Sequence, residues 1–214
     1  MKATKQKITK AAIVRFNQSG LINVRLQQIA DEAGISVGNL AYHFPNKRAI
    51  VRQIDAELEQ IIEPILVDER TFSHLIDFDN QLSSYYALLN QYAFYFLDLL
   101  EIERAYPIIH IKRKKYIQRM IHQIVNWIKQ HADRGTFQPE IQVNQYDILA
   151  HTIWMIITFW MTQQKVRGLK LGNEGAFKEA VWNQLLPIFT ATGFMEYEAI
   201  ILPQLKLVNM PEFQ

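Results

Sequence analysis

Arg25–Lys47, RLQQIADEAGISVGNLAYHFPNK, decides the fold of this chain. It reads as two short helices joined by a tight turn. Ile29 and Ala30 face inward on the first helix. Gly34 falls just past its end, where a positive φ is wanted and glycine supplies it at little steric cost. Ile35 plugs the turn. Ser36 is a natural N-cap for the second helix, about Val37 to His43, with Leu40 and Phe44 as its buried stripe at i, i+4. Ala30 is small, so the second helix can cross the first closely. This is the layout of a helix-turn-helix, whose second helix enters the DNA major groove.

The exposed side of that second helix carries Val37, Gly38, Asn39, Tyr42 and His43. Asn39 can donate and accept toward base edges, as Asn does with adenine, and Val37 can touch a thymine methyl. Gly38 lets the backbone approach the duplex. Tyr42, His43, Lys47 and Arg25 are placed as phosphate contacts, and Gln27 and Gln28 reach the DNA backbone or a groove edge from the preceding helix. The competing readings are that Tyr42 packs on its own domain and that His43 satisfies a local carbonyl.

Working outward, Thr4 to Ser19 is a helix with Ile8, Ala12 and Phe16 on its buried face, ended by Gly20. Asn23 is a better cap than Arg25 for the helix that follows. Pro45 stops the recognition helix. From Asn46 a long amphipathic helix carries Ile50, Ile54, Leu58, Ile61 and Ile65.

The quoted stretch resembles the N-terminal domain of the TetR family of bacterial transcription regulators. The likeness runs through IADEAGIS, GNLAYHF and PNK followed by an apolar helix start, and covers roughly residues 5–54. Two positions depart from the family pattern. Ala41 stands where an aromatic, most often Tyr, is usual, and Arg25 stands where Thr is common. The resemblance implies a ligand-responsive regulator, most often a repressor, that binds a palindromic double-stranded DNA operator as a homodimer. It also implies that the helix over residues 46–65 carries ligand-driven movement to the DNA-binding head.

Charge agrees with a DNA-binding head. Residues 1–53 hold nine basic and two acidic residues, net +7, while the remainder holds 14 basic and 19 acidic, net −5. A basic head suits a phosphate backbone. The 214 residues, 49% apolar, leave room for that head, 1–53, and a larger effector-binding and dimerisation domain, 54–214.

The body reads as helical throughout, with no strand alternation, so the fold class is all-α. Val67–Asn80 is a loop with a turn or two of helix. Tyr85, Leu89, Tyr92, Phe96 and Leu99 mark one central helix, which Pro107 interrupts. A helix resumes at Lys112 to Gln130, and Asn144 caps another running to about Arg167. Ala176–Thr190 and residues 194–208 complete the body. The helices at about 145–167 and 176–190 carry Ile148, His151, Thr152, Met155 and Phe159, then Phe177, Val181, Leu185 and Ile188, and are the expected dimer interface. One recognition helix reads too few base pairs alone, whereas a twofold dimer reads two half-sites. Aromatic residues interleaved with polar ones place an effector pocket among Tyr92, Phe96, His110, Tyr116, Trp127, Trp154 and Thr158.

Other chemistry finds no support. The chain has no cysteine, which removes disulfides and thiolate ligands. The histidines lack metal-ligand spacing, and no serine sits in an elbow motif. Gly168–Gly175 follows no strand, and Lys112–Lys115 reads as a solvated helix face. Neither a cofactor nor an enzymatic activity is expected, and a small helical enzyme is the remote alternative. An activator, or a regulator answering to a protein partner, is the nearer one. The N-terminus lacks a signal peptide's apolar core, and the run Ile148–Met161 is short of the roughly 20 residues needed to span a bilayer. A cytoplasmic protein without membrane association is therefore expected.

Overall fold

The computed structural model describes residues 2–66, 74–169 and 173–208; of Val67–Asn80, expected as a loop with a turn or two of helix, residues 67–73 lie outside these and residues 75–80 open a 17-residue helix. Among the described residues every regular element is helical, apart from an isolated antiparallel bridge between Phe137 and Phe189. The chain divides into two units, Met1–Ile65 with Gln91–Ile111, and Leu66–Asn90 with Lys112–Gln214. The boundary after residue 53, drawn from the change of charge, thus falls inside a helix.

In the first unit, α1 (Lys2–Ser19) buries Ile8, Ala12 and Phe16 and ends at Gly20, whose φ is +78°. Then come α2 (Leu26–Glu32), α3 (Val37–His43) and α4 (Lys47–Ile62). Ser36 Oγ accepts the Asn39 N–H at 3.1 Å, and Asn46 Oδ1 accepts the Ala49 N–H at 3.0 Å, so two orphan donors at helix starts are satisfied locally. Arg25, rather than Asn23, holds the N-cap of α2. The Gln28 side chain accepts the Arg25 N–H, while the Asn23 amide reaches back to the Ser19 carbonyl and closes α1. Phe44 leaves the helix with φ −139° yet stays buried; Pro45 after it disfavours the helical region. Ile50, Val51, Ile54 and Leu58 form the buried face of α4, Ile61 is exposed, and a 3₁₀ turn, Glu63–Leu66, follows.

The single central helix expected through Tyr85–Leu99 is three pieces: α5 (Leu75–Gln91), α6 (Ala93–Leu97) and α7 (Leu99–Ala105). The first break is held from α1. Asn17 Oδ1 accepts the Phe94 N–H at 2.9 Å and Asn17 Nδ2 donates to the Gln91 carbonyl at 3.0 Å. These two backbone groups are the ones a break leaves without helical partners. Phe94 packs on Phe16 with ring centroids 5.0 Å apart. At the second break Asp98 Oδ2 accepts the Leu21 N–H at 2.7 Å. Apolar periodicity carries no sign of partners so distant in sequence. The interruption expected at Pro107 is present, with Tyr106 outside any helix, but the chain resumes sooner than Lys112: α8 (Pro107–Asp133) begins on the proline itself, because a helix's first residue needs no N–H.

In the second unit α9 (Gln145–Val166) and α10 (Glu174–Leu185) are followed by a 3₁₀ turn, Leu186–Ile188, then α11 (Ala191–Glu196), a π-helical turn, Tyr197–Ile201, and α12 (Leu202–Val208). Asn144 is left-handed and its side chain caps nothing; Glu140 accepts the Tyr146 N–H instead. Trp127 stacks on Phe78 at 4.1 Å and meets the edges of Phe137 and Trp182. Asp79, 2% exposed, accepts from Lys178 Nζ at 2.8 Å and from Trp182 Nε1 at 3.0 Å. Gly193 lies against the chain at Thr136, where an added Cβ would be 2.0 Å from the carbonyl oxygen.

Candidate nucleic-acid interface

Residues of α2 and α3 present a polar, open surface. Arg25, Gln27, Gly38, Asn39 and Tyr42 are exposed, with Tyr42 at 75%; Val37 and His43 are half-buried. Tyr42 therefore does not pack into its domain, and its ring contact is the edge of His43 at 5.1 Å. The Asn39 backbone is fixed by Ser36, while no hydrogen bond engages its side-chain amide among the described residues. A Cβ on Gly38 would meet only Ser36 Oγ, at 4.0 Å, so the space outside that backbone is open. Gln27 donates to Asp31 one turn on, which orients its amide along α2. Ala41 is exposed and adds only a methyl group.

Lys47 differs from the sequence expectation. Its Nζ donates to the carbonyls of Leu21, Ile22 and Val24 at 2.7, 2.9 and 3.0 Å. An ammonium has three hydrogens, so all are engaged. Burial lowers its pKa, and the Glu101 carboxylate partly offsets that. The signal missed in the sequence was a turn rich in unserved carbonyls just ahead of α2.

The seven residues expected to line one pocket do not gather within either unit. Tyr92, Phe96 and His110 belong to the first unit; Tyr116, Trp127, Trp154 and Thr158 belong to the second. Trp127 is a core stacking residue. His110 is exposed and faces Glu103 at 3.1 Å. Thr158 is buried, and its Oγ1 finds no partner among the described residues. A groove of about 440 Å³ does lie on α9 and α10, lined by Met155, Phe159, Trp160, Gln163, Arg167 and Ala180 among others, and by none of the seven.

The expected dimer helices are half as available as the sequence suggested. On α9, Ile148 (66% exposed), Met155, Phe159 and Val166 (77%) form an apolar stripe at spacings of 7, 4 and 7. On α10, Phe177, Val181 and Leu185 are buried in their own unit, as is Ile188 beyond it; the Phe177 ring packs against Tyr86 and Trp160.

A three-helix head with a capped α3, an unengaged Asn39 amide and a basic surface defines a helix-turn-helix DNA-binding protein. Family comparison sharpens this. Residues 8–54 match the model of bacterial regulatory proteins of the tetR family, and residues 52–194 match that of a bacterial transcriptional repressor. The chain belongs to the TetR family and is a DNA-binding transcription regulator. The HTH-type transcriptional regulator RutR of Escherichia coli K12 is 40% identical over 70 residues, a stretch that is 33% of this chain and 32% of that relative. A TetR-family regulator of Marinobacter aquaeolei VT8 superposes with a TM-score of 0.78 at 26% identity, covering 95% of this chain and 98% of the other. SmeT, solved as a complex with triclosan, shares the fold at 16% identity and a TM-score of 0.57, covering 90% and 94%. No helix of the described residues is long and apolar enough to cross a membrane.

Proposed function

We propose that this regulator is a ligand-responsive repressor that binds a palindromic operator as a homodimer in the cytoplasm. The observation that carries the DNA half is Asn39: an exposed, unengaged amide on a rigidly capped helix beside a glycine with open space. Arg25, Gln27, Val37, Tyr42 and His43 surround it as base-edge and backbone contacts. The exposed α9 stripe supports the homodimer, since an apolar row of this kind is ordinarily covered. The contribution of α10 comes from its exposed side, not from the buried apolar residues.

An effector of small-molecule class is supported by the family and by the triclosan complex of SmeT, a protein alike in fold. Thr158, with Tyr116 and Trp154, remains the candidate anchor set within the second unit, and Tyr92, Phe96 and His110 that of the first. Effector binding would tilt α4 and change the spacing of two recognition helices. A ligand shifts that equilibrium only by preferring one state. A tight ligand that left operator affinity unchanged would sink the mechanism.

The test is selection of duplexes from a random pool at near-physiological salt. A palindrome with two half-sites supports the reading, and an unpaired site or no enrichment contradicts it. Asn39→Ala is then expected to lose discrimination at one base step by about 1–3 kcal/mol. A uniform loss across sequences would make Asn39 a backbone contact.

A further inference from the structure

We propose that Lys47 is a positioning residue for DNA binding: it holds the turn between α1 and α2, and so the placement of Arg25 and the start of α2, without touching DNA itself. The inference rests on the DNA-binding role and assigns one of its residues.

The turn, residues 20–24, is a piece of chain with little regular structure to fix it. Its three carbonyls at Leu21, Ile22 and Val24 converge on the single Lys47 nitrogen. The Leu21 N–H is taken by the Asp98 carboxylate on the other side. One peptide segment is thus gripped at its acceptors by a cation and at a donor by an anion. The grip has a direct structural heir. Val24 precedes Arg25, whose extended backbone (φ −96°, ψ 155°) starts α2. Lys47 itself is the first residue of α4, directly after the α3 C-terminus and its Phe44-Pro45-Asn46 exit. It therefore ties the exit of the recognition helix to the entry of the helix that supports it. A side chain bent inward to three carbonyls offers no hydrogen to a phosphate. Contact with DNA would require breaking at least one of these bonds.

Phosphate contact and positioning predict different outcomes for two variants. Lys47→Met keeps the apolar stem and removes the donors. Lys47→Arg keeps the charge, but a planar guanidinium fork cannot aim hydrogens from one nitrogen at three converging acceptors. The measurements are operator affinity against salt concentration, and hydrogen exchange of the Leu21–Arg25 amides in the DNA-free protein. Positioning predicts that both variants lose affinity, about tenfold, with the slope of log affinity against log salt unchanged. It also predicts faster exchange across the turn in both variants, while the α3 amides keep their protection. A phosphate contact predicts that Lys47→Met flattens the slope by about one, that Lys47→Arg binds like the parent, and that exchange at the turn is unaltered. That pattern would overturn the proposal. If the parent protein bound no DNA, the DNA-binding role would fail by itself, and the exchange measurement would still decide whether Lys47 holds the turn.

Discussion

In the first unit polar side chains mostly serve backbone groups. Ser36, Asn46 and Gln28 satisfy donors at helix starts, Lys47 gathers three carbonyls, and Asn17 and Asp98 meet the chain at two helix breaks. In the second unit a buried charged pair bonds side chain to side chain: Asp79 with Lys178, and with Trp182 as well, beside the Phe78 and Trp182 rings. The difference follows from what each unit must hold constant. A head that reads DNA needs a fixed backbone path, and backbone is fixed by bonding to it. A helical body needs a filled interior, and its few polar groups must find each other there.

The comparison breaks most easily at Asp79. Asp79→Ala leaves Lys178, 4% exposed, with only Glu174 at 3.4 Å, and about 3–5 kcal/mol of stability should be lost in chemical denaturation. Replacing both partners, Asp79→Leu with Lys178→Met, should recover most of it, since a well-packed apolar pair avoids the desolvation cost. A single variant that lost under 1 kcal/mol would show that the body does not depend on its internal pairs.

Next is Gly193→Ala. The added methyl meets the Thr136 carbonyl, and a loss of about 2–3 kcal/mol is expected from overpacking a rigid junction. An unchanged melting temperature would mean that α11 can slide away from the Thr136 carbonyl.

A third effect depends on pH. Burial lowers the pKa of His131 below the ordinary imidazole value of 6.5, with Arg134 and His74 acting in the same direction and the Trp127 carbonyl and Glu196 against it. The native state thus keeps this ring neutral where the unfolded chain takes up a proton. Stability from this site is full above pH 6.5 and falls as pH drops below it, by at most about 1.4 kcal/mol per pH unit. His131→Asn should flatten the acid side of the stability–pH curve, and an identical curve would remove His131 from the account.

The smallest change belongs to the head. Ser36→Ala removes one cap and should cost about 1 kcal/mol in a thermal melt. A cost above 3 kcal/mol would erase the contrast, because single caps would then matter as much as buried pairs.

What was legible in the sequence follows the same division. Ser36 and Asn46 bond to amides three residues away, so their roles could be read off neighbouring letters. Lys47 bonds to carbonyls 23–26 residues away, and its charge in a basic stretch pointed to DNA instead. Asp79 and Lys178 lie 99 residues apart, and neither spacing nor composition pairs them. Trp127 reads as a pocket wall or as a core residue, and its stacking on Phe78, 49 residues away, is a contact that no spacing announces. Apolar periodicity also marked Phe177, Val181 and Leu185 as a packing face on α10, but periodicity does not say whether that face meets its own core or another chain.

The two helix breaks have a consequence for the protein's descent. Asn17 grips the chain at Gln91 and Phe94, and Asp98 returns the contact to Leu21, all within one short interval. That interval behaves as a ruler of fixed length. One inserted residue would turn everything after it by about 100° and advance it about 1.5 Å, so one end would lose its hold on α1. Substitutions can accumulate between Gln91 and Asp98, but insertions and deletions should be absent there in any descendant that still reads its operator.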